Sequence, residues 1–276
     1  MPELPEVEAV RRALEPVMRG ARFRRILVRR PNLRIPFPRQ FAERLKGRTV
    51  RALTRRGKFL LAELSSGETL IIHLGMSGSF DVDVGAASNR RRREADPHDH
   101  VVFGMSSGAT VTFNDPRRFG LMDLAADGRL ETYPALSAMG REPLSAEFDA
   151  ASLARVCRGK HTSLKAALID QRVVAGLGNI YASEALHRAH LSPRRRASTI
   201  ATATGAPRAS AHRLAAAIKK VLNDAVERTM ANSYRSSRFR VYDRGGARCP
   251  TKVCAGTIRR ILQAGRSTFY CPVCQR

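Results

Sequence analysis

The first eight residues of the chain concentrate groups that could do chemistry. They read Met-Pro-Glu-Leu-Pro-Glu-Val-Glu, and a small second residue allows Met1 to be removed, which would leave Pro2 as a free secondary amine. An α-amino group titrates near about 7.7–8.0 and a lysine near roughly 10.4, so at neutral pH the α-amino group holds far more of the neutral nucleophile. Such an amine can attack a sugar or carbonyl carbon and form an iminium. Glu3, Glu6 and Glu8 stand close by as proton donors or acceptors.

The same residues also suit the start of a helix. Pro5 is favourable at a first helical position, and acids in a first turn complement the helix dipole. On this peptide alone the helix start is the preferred interpretation. Both interpretations hold if a helix entering at Pro5 fixes Pro2 and Glu3 at its mouth. Apolar residues at helical spacing predict that this helix runs to Met18: Val7, Val10, Leu14 and Val17.

Four of the five cysteines lie within the last 28 residues, namely Cys249, Cys254, Cys271 and Cys274. In a chain without a secretory signal, clustered cysteine pairs indicate metal ligands rather than disulfides. The order Cys-x4-Cys, sixteen residues, Cys-x2-Cys suits one tetrahedral structural zinc, and no other cysteine or histidine lies nearby in the sequence. We expect Ile258, Ile261 and Phe269 to form the small core of a β-hairpin there. Cys157 is expected to be a buried apolar filler.

Charge indicates the class of partner. Lysine and arginine total 49 against 24 acidic residues, which gives a net charge of +25. Such an excess fits a polyanion, and nucleic acid is favoured over an anionic membrane because no basic amphipathic helix lacking acids is found. No run of about 18 apolar residues and no secretory signal occur, so we expect a soluble, cytoplasmic protein.

The coarse pattern along the chain predicts two domains. Seven short β-like runs are typical of an antiparallel sandwich or barrel: 23–28, 49–53, 59–64, 69–74, 100–105, 110–113 and 119–124. Residues 84–99 are expected to form a polar loop. Helical patterns follow at 152–158, 163–170, 181–189 and 210–229. We expect a catalytic domain at 1–131, a linker at 132–143, a helical DNA-binding domain at 144–231, and a loop region with a zinc finger at 232–276.

A glycine-containing turn interrupts the helical region. Gly176-Leu-Gly-Asn179 is expected to join two helices, with Asn179 capping a helix that begins at Ile180. Helix–turn–helix geometry combined with basic charge points to DNA. The Gly-x-Gly pattern alone is weak evidence, because most such turns are structural.

Six segments, in order along nearly the whole chain, together resemble the bacterial formamidopyrimidine-DNA glycosylases. They are residues 1–8, Arg-Gly-Lys-Phe at 56–59, His-Leu-Gly-Met at 73–76, Asn-Asp-Pro-Arg-Arg-Phe-Gly at 114–120, Gly-Leu-Gly-Asn-Ile-Tyr-Ala-Ser-Glu at 176–184, and Gly-Arg-Ser-Thr-Phe-Tyr-Cys-Pro-Val-Cys-Gln at 265–275. The resemblance implies an α+β fold: an N-terminal helix plus an antiparallel β-sandwich, then a helix–two-turn–helix domain with a C-terminal zinc-ribbon finger, with DNA crossing between the domains.

The resemblance also implies an activity. The enzyme would excise an oxidised purine from double-stranded DNA and then nick the strand by β,δ-elimination, with one structural zinc and no other cofactor. We expect a monomer, because the activity does not require reading of a pseudosymmetric operator. Pro2 would attack C1′ and carry the Schiff base, Glu3 would be the acid/base, and Lys58 would contact phosphate near the lesion and support catalysis. Glu6 would line the base pocket.

Two further groups of residues take roles from the resemblance. His73, Asn179 and Arg266 would complete the grip on the phosphates, with Arg266 at the tip of the finger's hairpin. Met76, Arg117 and Phe119 would fill the gap left by the flipped nucleotide. Without the resemblance, Met76 and Phe119 would be expected in a core, Lys58 and Arg117 on a solvated surface, and His73 as a structural histidine.

The chain departs from the family pattern at two places, and two rival functions stay open. Its first cysteine pair is Cys-x4-Cys where the family usually has Cys-x2-Cys, and the loop that covers an everted base is shortened at 232–240, where Tyr234 or Phe239 would contact the base. This shortening leaves the preference between 8-oxoguanine and formamidopyrimidines open. The endonuclease VIII branch would act on oxidised pyrimidines, although Leu4 and the Arg117 and Phe119 pair favour purines. A catalytically silent DNA-binding protein is the second rival.

Overall fold

The first compact unit of the computed structural model is an α+β unit at Met1–Ser137. The structure describes residues 2–85, 95–230 and 239–276 of the chain. In this unit the helices are α1 (Leu4–Met18), α2 (Phe41–Leu45) and α3 (Pro134–Ser137). The strands are β1 (Phe23–Val28), β2 (Val50–Arg56), β3 (Phe59–Leu64), β4 (Thr69–His73), β5 (Ser79–Asp83), β6 (Asp99–Met105), β7 (Thr110–Asn114) and β8 (Leu121–Ala125).

These strands form two antiparallel four-stranded sheets, in the orders β1-β6-β7-β5 and β2-β3-β4-β8. One hydrophobic cluster lies between them and includes Phe23, Leu60, Ile72, Phe103 and Phe113, all at most 1% exposed. Helix α1 adds its buried face to the same cluster through Val7, Leu14 and Met18. The predicted N-terminal helix and antiparallel sandwich are therefore confirmed.

Strand β5 was not among the seven predicted strands. Its sequence, Ser-Phe-Asp-Val-Asp, presents only two apolar residues, and it lies at a sheet edge where it pairs with β7 alone. Phe80 and Val82 alternate with polar residues and pack against the core cluster, so the segment has the alternating pattern of a half-buried strand, over only five residues. The strand predicted at 119–124 is β8, which begins at Leu121 rather than at Phe119. Most of the predicted 84–99 loop, residues 86–94, lies outside the described residues.

The second compact unit, Ala138–Arg276, is mainly helical. It contains α4 (Ala150–Cys157), α5 (Leu164–Ile169), α6 (Asn179–Arg188), a 3₁₀ turn at Ala197–Ile200, and α7 (Ala209–Met230). Cys157 is fully buried on α4, where burial raises the pKa of its thiol to about 11. It is an inert core residue, as expected.

The loop between α5 and α6 is fixed by one side chain. Gln171 donates from Nε2 to the carbonyls of Ile169 and Leu177 at 3.0 and 2.8 Å, and its Oε1 accepts from the Gly176 N–H at 2.8 Å. A single amide thus satisfies three backbone groups of the turn, which defines where α6 begins.

A small antiparallel hairpin ends the unit. It consists of β9 (Arg259–Gln263) and β10 (Arg266–Tyr270). Its core cluster includes Val241, Ile258 and Phe269 together with cysteines of the tail. The prediction that Ile261 belongs to this core is wrong, since Ile261 is partly exposed and Val241 from the preceding segment occupies the core. Among the described residues, no helix is both long and apolar enough to traverse a bilayer.

Candidate active site and metal centre

Glu3 is placed at the mouth of α1. It is the N-cap of that helix and only 2% exposed, and its backbone N–H donates to Glu6 Oε2 at 2.8 Å. The Glu6 carboxylate therefore ties the N-cap backbone from within the first turn. Pro2 precedes Glu3 directly and is partly exposed, and Met1, whose removal we expect, lies outside the described residues. The helix thus holds a buried carboxyl one residue from Pro2.

Glu8 faces arginines rather than the N-terminus. Its carboxylate accepts from Arg11 at 3.0 Å, Arg12 at 2.8 Å and Arg55 at 3.2 Å. Burial alone would raise the pKa of Glu8, but these hydrogen bonds and charges outweigh burial and lower the pKa below its ordinary value. Glu8 is therefore an anion at neutral pH, held by three arginines.

The salt bridge between Glu8 and Arg55 lies next to the turn that carries Lys58. Arg55, on β2, also donates from Nη1 to the carbonyl of Gly57 at 2.8 Å. Gly57 is in the left-handed region at φ 57°, in the tight turn between β2 and β3. Lys58 follows it and is only 7% exposed, so the expectation of a solvated lysine is wrong. An ion pair from α1 thereby helps to fix the backbone next to Lys58.

His73 is a neutral histidine at the end of β4. It pairs in register with Phe59, and their ring centroids are 4.7 Å apart. Burial, with additional repulsion from Lys58 and Arg34, lowers the pKa of His73 to about 4. The Gly75 N–H donates to His73 Nδ1 at 3.0 Å. A neutral ring that accepts at Nδ1 carries its proton on Nε2, so Nε2–H is the donor that remains.

The lowered pKa of His73 predicts a pH dependence of stability. The unfolded chain binds a proton at His73 below about pH 6.5 while the folded chain does not, so stability falls as pH drops from 6.5 toward 4 and this loss then levels off. The pKa difference corresponds to roughly 3 kcal/mol. Denaturant unfolding of wild type and His73→Asn across this range measures it, since Asn keeps an acceptor for Gly75. Parallel curves for the two proteins would contradict the account.

Met76, Arg117 and Phe119 lie on two loops in close backbone contact. A Cβ atom on Gly75 would come within 2.3 Å of the Phe119 carbonyl carbon, so only glycine permits this approach. Met76 and Phe119 are 42% and 43% exposed, which overturns the expectation that they belong to a core. The Arg117 guanidinium lies 4.7 Å from the centroid of the Phe119 ring. The structure thus presents two apolar side chains and one cation together at the surface.

The buried Asp115 carboxylate hydrogen-bonds to both of these loops. It is fully buried, accepts from Ser77 Oγ at 2.5 Å through one oxygen, and accepts from the Gly120 N–H at 2.7 Å through the other. The Ser77 hydroxyl in turn accepts from the Arg117 N–H at 3.3 Å. One carboxylate therefore positions the residues that follow Met76 and Phe119.

In the second unit, Asn179 is held by a buried lysine. Its Oδ1 accepts from Lys165 Nζ at 2.6 Å and its Nδ2 donates to the Ser267 carbonyl at 3.0 Å. Because its side chain is used in this way, Asn179 does not cap α6. The helix begins at Asn179 itself, with Gly178 as N-cap, so that prediction is wrong.

Lys165 joins α5 to the finger's hairpin. It is 1% exposed, and Nζ also donates to Thr268 Oγ1 at 2.6 Å and to the Ser267 carbonyl at 3.3 Å. Buried ammonium groups are tolerated only with such partners. Arg266 begins β10 next to these contacts and is exposed. Ala264 and Gly265, both at positive φ, form the two-residue turn before it.

The four cysteines of the tail have the geometry of a metal site. Their sulfur atoms all lie within 4.8 Å of one another. Cys249 and Cys274 are 3.7 Å apart, as are Cys254 and Cys271. Four sulfurs at about 2.3 Å from one tetrahedral ion would be roughly 3.8 Å apart. The site therefore fits one metal ion held by thiolates.

Two family models match the chain. The formamidopyrimidine-DNA glycosylase N-terminal domain matches residues 1–122, and the formamidopyrimidine-DNA glycosylase H2TH domain matches residues 139–236. The chain belongs to the formamidopyrimidine-DNA glycosylase family. The predicted family of DNA repair glycosylases and the helix–two-turn–helix domain are thus confirmed, while the predicted domain boundaries and residue roles stay predictions.

Individual members of the formamidopyrimidine-DNA glycosylase family are similar over their full length. A formamidopyrimidine-DNA glycosylase of Bradyrhizobium sp. (strain ORS 278) is 55% identical over 294 aligned residues, covering 100% of both chains. The MutM (Fpg) protein of Thermus thermophilus superposes with TM-score 0.81 at 38% identity, covering 99% of this chain and 98% of that one. The Lactococcus lactis enzyme in complex with DNA containing FAPY-dG superposes with TM-score 0.84 at 30% identity, covering 99% and 100%.

Proposed function

We propose that this chain is a bifunctional DNA glycosylase and AP lyase that excises oxidised purines, formamidopyrimidines and 8-oxoguanine, from double-stranded DNA. The observation that carries the proposal is the buried Glu3 carboxyl at the helix mouth, one residue from Pro2. On this proposal the protein acts as a monomer in the bacterial cytoplasm. The Lactococcus lactis relative bound to FAPY-dG DNA supports the substrate class.

The chemistry divides between Pro2 and Glu3. The Pro2 nitrogen attacks C1′ of the damaged nucleotide, the bond from C1′ to the base breaks with its electron pair on the base, and the proton lost by the Pro2 nitrogen neutralises the released base. Glu3 protonates the sugar ring oxygen as the ring opens, which converts the adduct to an iminium. The iminium acidifies the C2′ proton, which Glu3 accepts after it has protonated the ring oxygen, and the electron pair expels the 3′ phosphate. Loss of the C4′ proton from the conjugated iminium then expels the 5′ phosphate. Fixing Glu3 as the N-cap of α1 orients it before substrate arrives.

The DNA backbone is gripped by residues of both units. Lys58 supplies a charge, and His73 supplies a neutral Nε2–H donor to a phosphate oxygen. In the second unit, Arg266 supplies a charge and Asn179 an amide oriented by Lys165. Contacts of this kind position the duplex without reading its sequence. Glu6 lines the base pocket from the first turn of α1.

The exposed group of Met76, Arg117 and Phe119 fits the gap left by the flipped nucleotide. A base inside a duplex hides C1′, so the nucleotide must rotate out, at a cost of a few kcal/mol for unstacking. An apolar wedge from Phe119 and Met76, with Arg117 hydrogen-bonding the orphaned base, offsets that cost. The 42% and 43% exposures of Met76 and Phe119 support this role, because two neighbouring exposed apolar side chains are available to a partner.

We further propose that the four cysteines hold one structural zinc. Cys249, Cys254, Cys271 and Cys274 would bind it through their thiolates, and the ion would fix the fold of the hairpin that carries Arg266. Closed four-thiolate sites are structural, because no coordination position is left for a substrate. The zinc takes no part in base excision.

The Glu8–Arg55 pair gives a test of how Lys58 is positioned. Glu8→Gln should lower turnover on a lesion duplex by about 10- to 100-fold, because Arg55 loses its anchor and Lys58 is displaced. Glu15→Gln is the matched control, since Glu15 pairs with Arg11 on the same helix. In a Lys58→Ala background, Glu8→Gln should have no further effect on turnover. Additive losses in the double variant would contradict the account.

A panel of lesion duplexes tests the proposed function. We expect base release and a nick with phosphates at both ends on 8-oxoguanine and formamidopyrimidine duplexes. The predicted shortening of loop 232–240, which includes residues outside the described part of the chain, makes the relative rates on these two lesions the informative quantity. Excision confined to oxidised pyrimidines would favour the endonuclease VIII branch. Tight binding with no product on any duplex would favour a silent DNA-binding protein.

A further inference from the structure

A histidine from α6 lies against the cysteine cluster. His187 is 1% exposed, and its Nε2 is 3.5 Å from Cys249 Sγ. No histidine lies near the four cysteines in the sequence, but folding brings this ring from 62 residues upstream. Nothing in the chemistry proposed for Pro2 and Glu3 uses this side chain.

The contacts of His187 define which of its nitrogens carries the proton. Arg240 Nε lies 3.4 Å from His187 Nδ1. A guanidinium can only donate, so Nδ1 is the acceptor. The ring proton is therefore on Nε2, the atom that faces the sulfur of Cys249. A protonated Nε2 cannot ligate a metal, which makes the ring a hydrogen-bond donor to the cluster rather than a fifth ligand.

A second donor comes from the widened first cysteine pair. Thr251 lies among the four residues that separate Cys249 from Cys254. Its Oγ1 is 3.3 Å from His187 Nε2 and 3.8 Å from Cys274 Sγ. The single Nε2 proton is shared between Cys249 Sγ and the Thr251 hydroxyl, and that hydroxyl donates its own proton to Cys274 Sγ. The longer spacer thus supplies a side chain that bridges the histidine and the cluster.

We propose that His187 and Thr251 are positioning residues of the metal centre, donating hydrogen bonds to the thiolates of Cys249 and Cys274. This inference rests on the proposed metal site. Four thiolates around a divalent cation carry a net charge of −2 in a mostly buried cluster, and donors aimed at sulfur disperse that charge. His187 also lies on the helix that begins with Asn179. The hydrogen bond therefore ties the metal centre to the element that carries one of the proposed phosphate contacts.

Metal affinity of the full chain is the direct test. Zinc-loaded protein is titrated with a chromophoric chelator, for wild type, His187→Phe and His187→Gln. Loss of a hydrogen-bonding partner of a metal ligand typically weakens affinity about 10- to 100-fold, and we expect a loss in that range for His187→Phe. His187→Gln places an N–H near the position of Nε2 and should recover most of the affinity. His190→Asn, an exposed neighbour on the same segment, is the matched control and should leave affinity unchanged.

Thr251→Val removes the second donor at constant shape and needs no change in the helix. It should also weaken zinc binding, and in cobalt-substituted protein both variants should shift the sulfur-to-metal charge-transfer band. If His187→Phe shows wild-type zinc affinity and an unchanged charge-transfer band, the inference about the hydrogen bonds is overturned while the metal site stands. Should His187→Phe not fold, the same result in Thr251→Val overturns it. A wild-type protein that binds no stoichiometric metal would instead overturn the proposed metal site and the inference with it.

Discussion

Pro2→Gly is expected to abolish the covalent adduct that borohydride traps between the protein and an abasic-site duplex. Glycine leaves a primary amine on a freely rotating backbone, whereas proline presents a secondary amine whose φ is fixed by its ring. Misplacing a reacting atom by about 1 Å costs on the order of 100-fold, so strand cleavage should fall at least that far. Gel analysis of trapped and nicked products measures both effects.

The matched control is Pro5→Ala. Pro5 lies in the first turn of the same helix and is buried, so its replacement tests whether any proline at this helix start affects the reaction. We expect Pro5→Ala to retain the adduct. Pro2→Gly should still bind the abasic duplex, because the phosphate-contacting residues are unchanged. Full trapping by Pro2→Gly would contradict the proposed nucleophile.

Removing the metal is expected to have the second large effect. Cys271 is fully buried, and Cys271→Ser should lose the ion and with it the ordered hairpin that carries Arg266. Metal binding to structural sites contributes roughly 10–16 kcal/mol to folding, far more than so small a core cluster supplies. Lys165 and Asn179 would then lose their partners at Ser267 and Thr268. Binding to an abasic duplex should therefore be nearly lost.

Metal content by emission spectroscopy and duplex binding by fluorescence anisotropy measure this outcome. Cys157→Ala is the control, because Cys157 is the one cysteine outside the cluster and lies buried on α4. It should keep one metal per chain and normal binding. Retained DNA affinity in metal-free Cys271→Ser would show that the ion does not support the grip.

The sequence predicted the elements with long hydrophobic periodicity and missed the short strand β5. Helix α1 and strands β1 and β3 lie where the pattern placed them, whereas the alternating pattern of β5 covers only five residues and was not recognised. Asn179 was expected to cap α6 because asparagine commonly does so. Tertiary contacts outweigh this capping preference, because Lys165 donates to the oxygen of the Asn179 amide and the Ser267 carbonyl accepts from its nitrogen.

The sequence pattern gave almost no indication of residues whose contacts lie far away along the chain. Lys165 stands out only as a charge in an otherwise apolar helix, Leu-Lys-Ala-Ala-Leu-Ile. Asp115 lies within the segment that carries Arg117 and Phe119, yet its partner Ser77 is 38 residues away. His187 contacts a cysteine 62 residues downstream. Such pairs depend on topology, which spacing along the chain does not encode.

The exposures of Met76 and Phe119 also reversed an expectation. Apolar residues next to strands normally face a core, but these two lie on loops that Gly75 and Asp115 bring together at the surface. Lys58 differs from expectation in the opposite direction, because a lysine expected at the surface is buried in the structure. Functional sites are where such local rules are broken.

Locating the trapped atom tests the central claim most directly. Wild-type protein is reduced with borohydride on an abasic duplex, digested with trypsin and analysed by mass spectrometry. We predict that the sugar remnant is attached to the nitrogen of Pro2, in a peptide that starts at Pro2 and ends at Arg11, with Met1 absent. A remnant on a lysine side chain, or a fully active protein that retains Met1, would contradict the account.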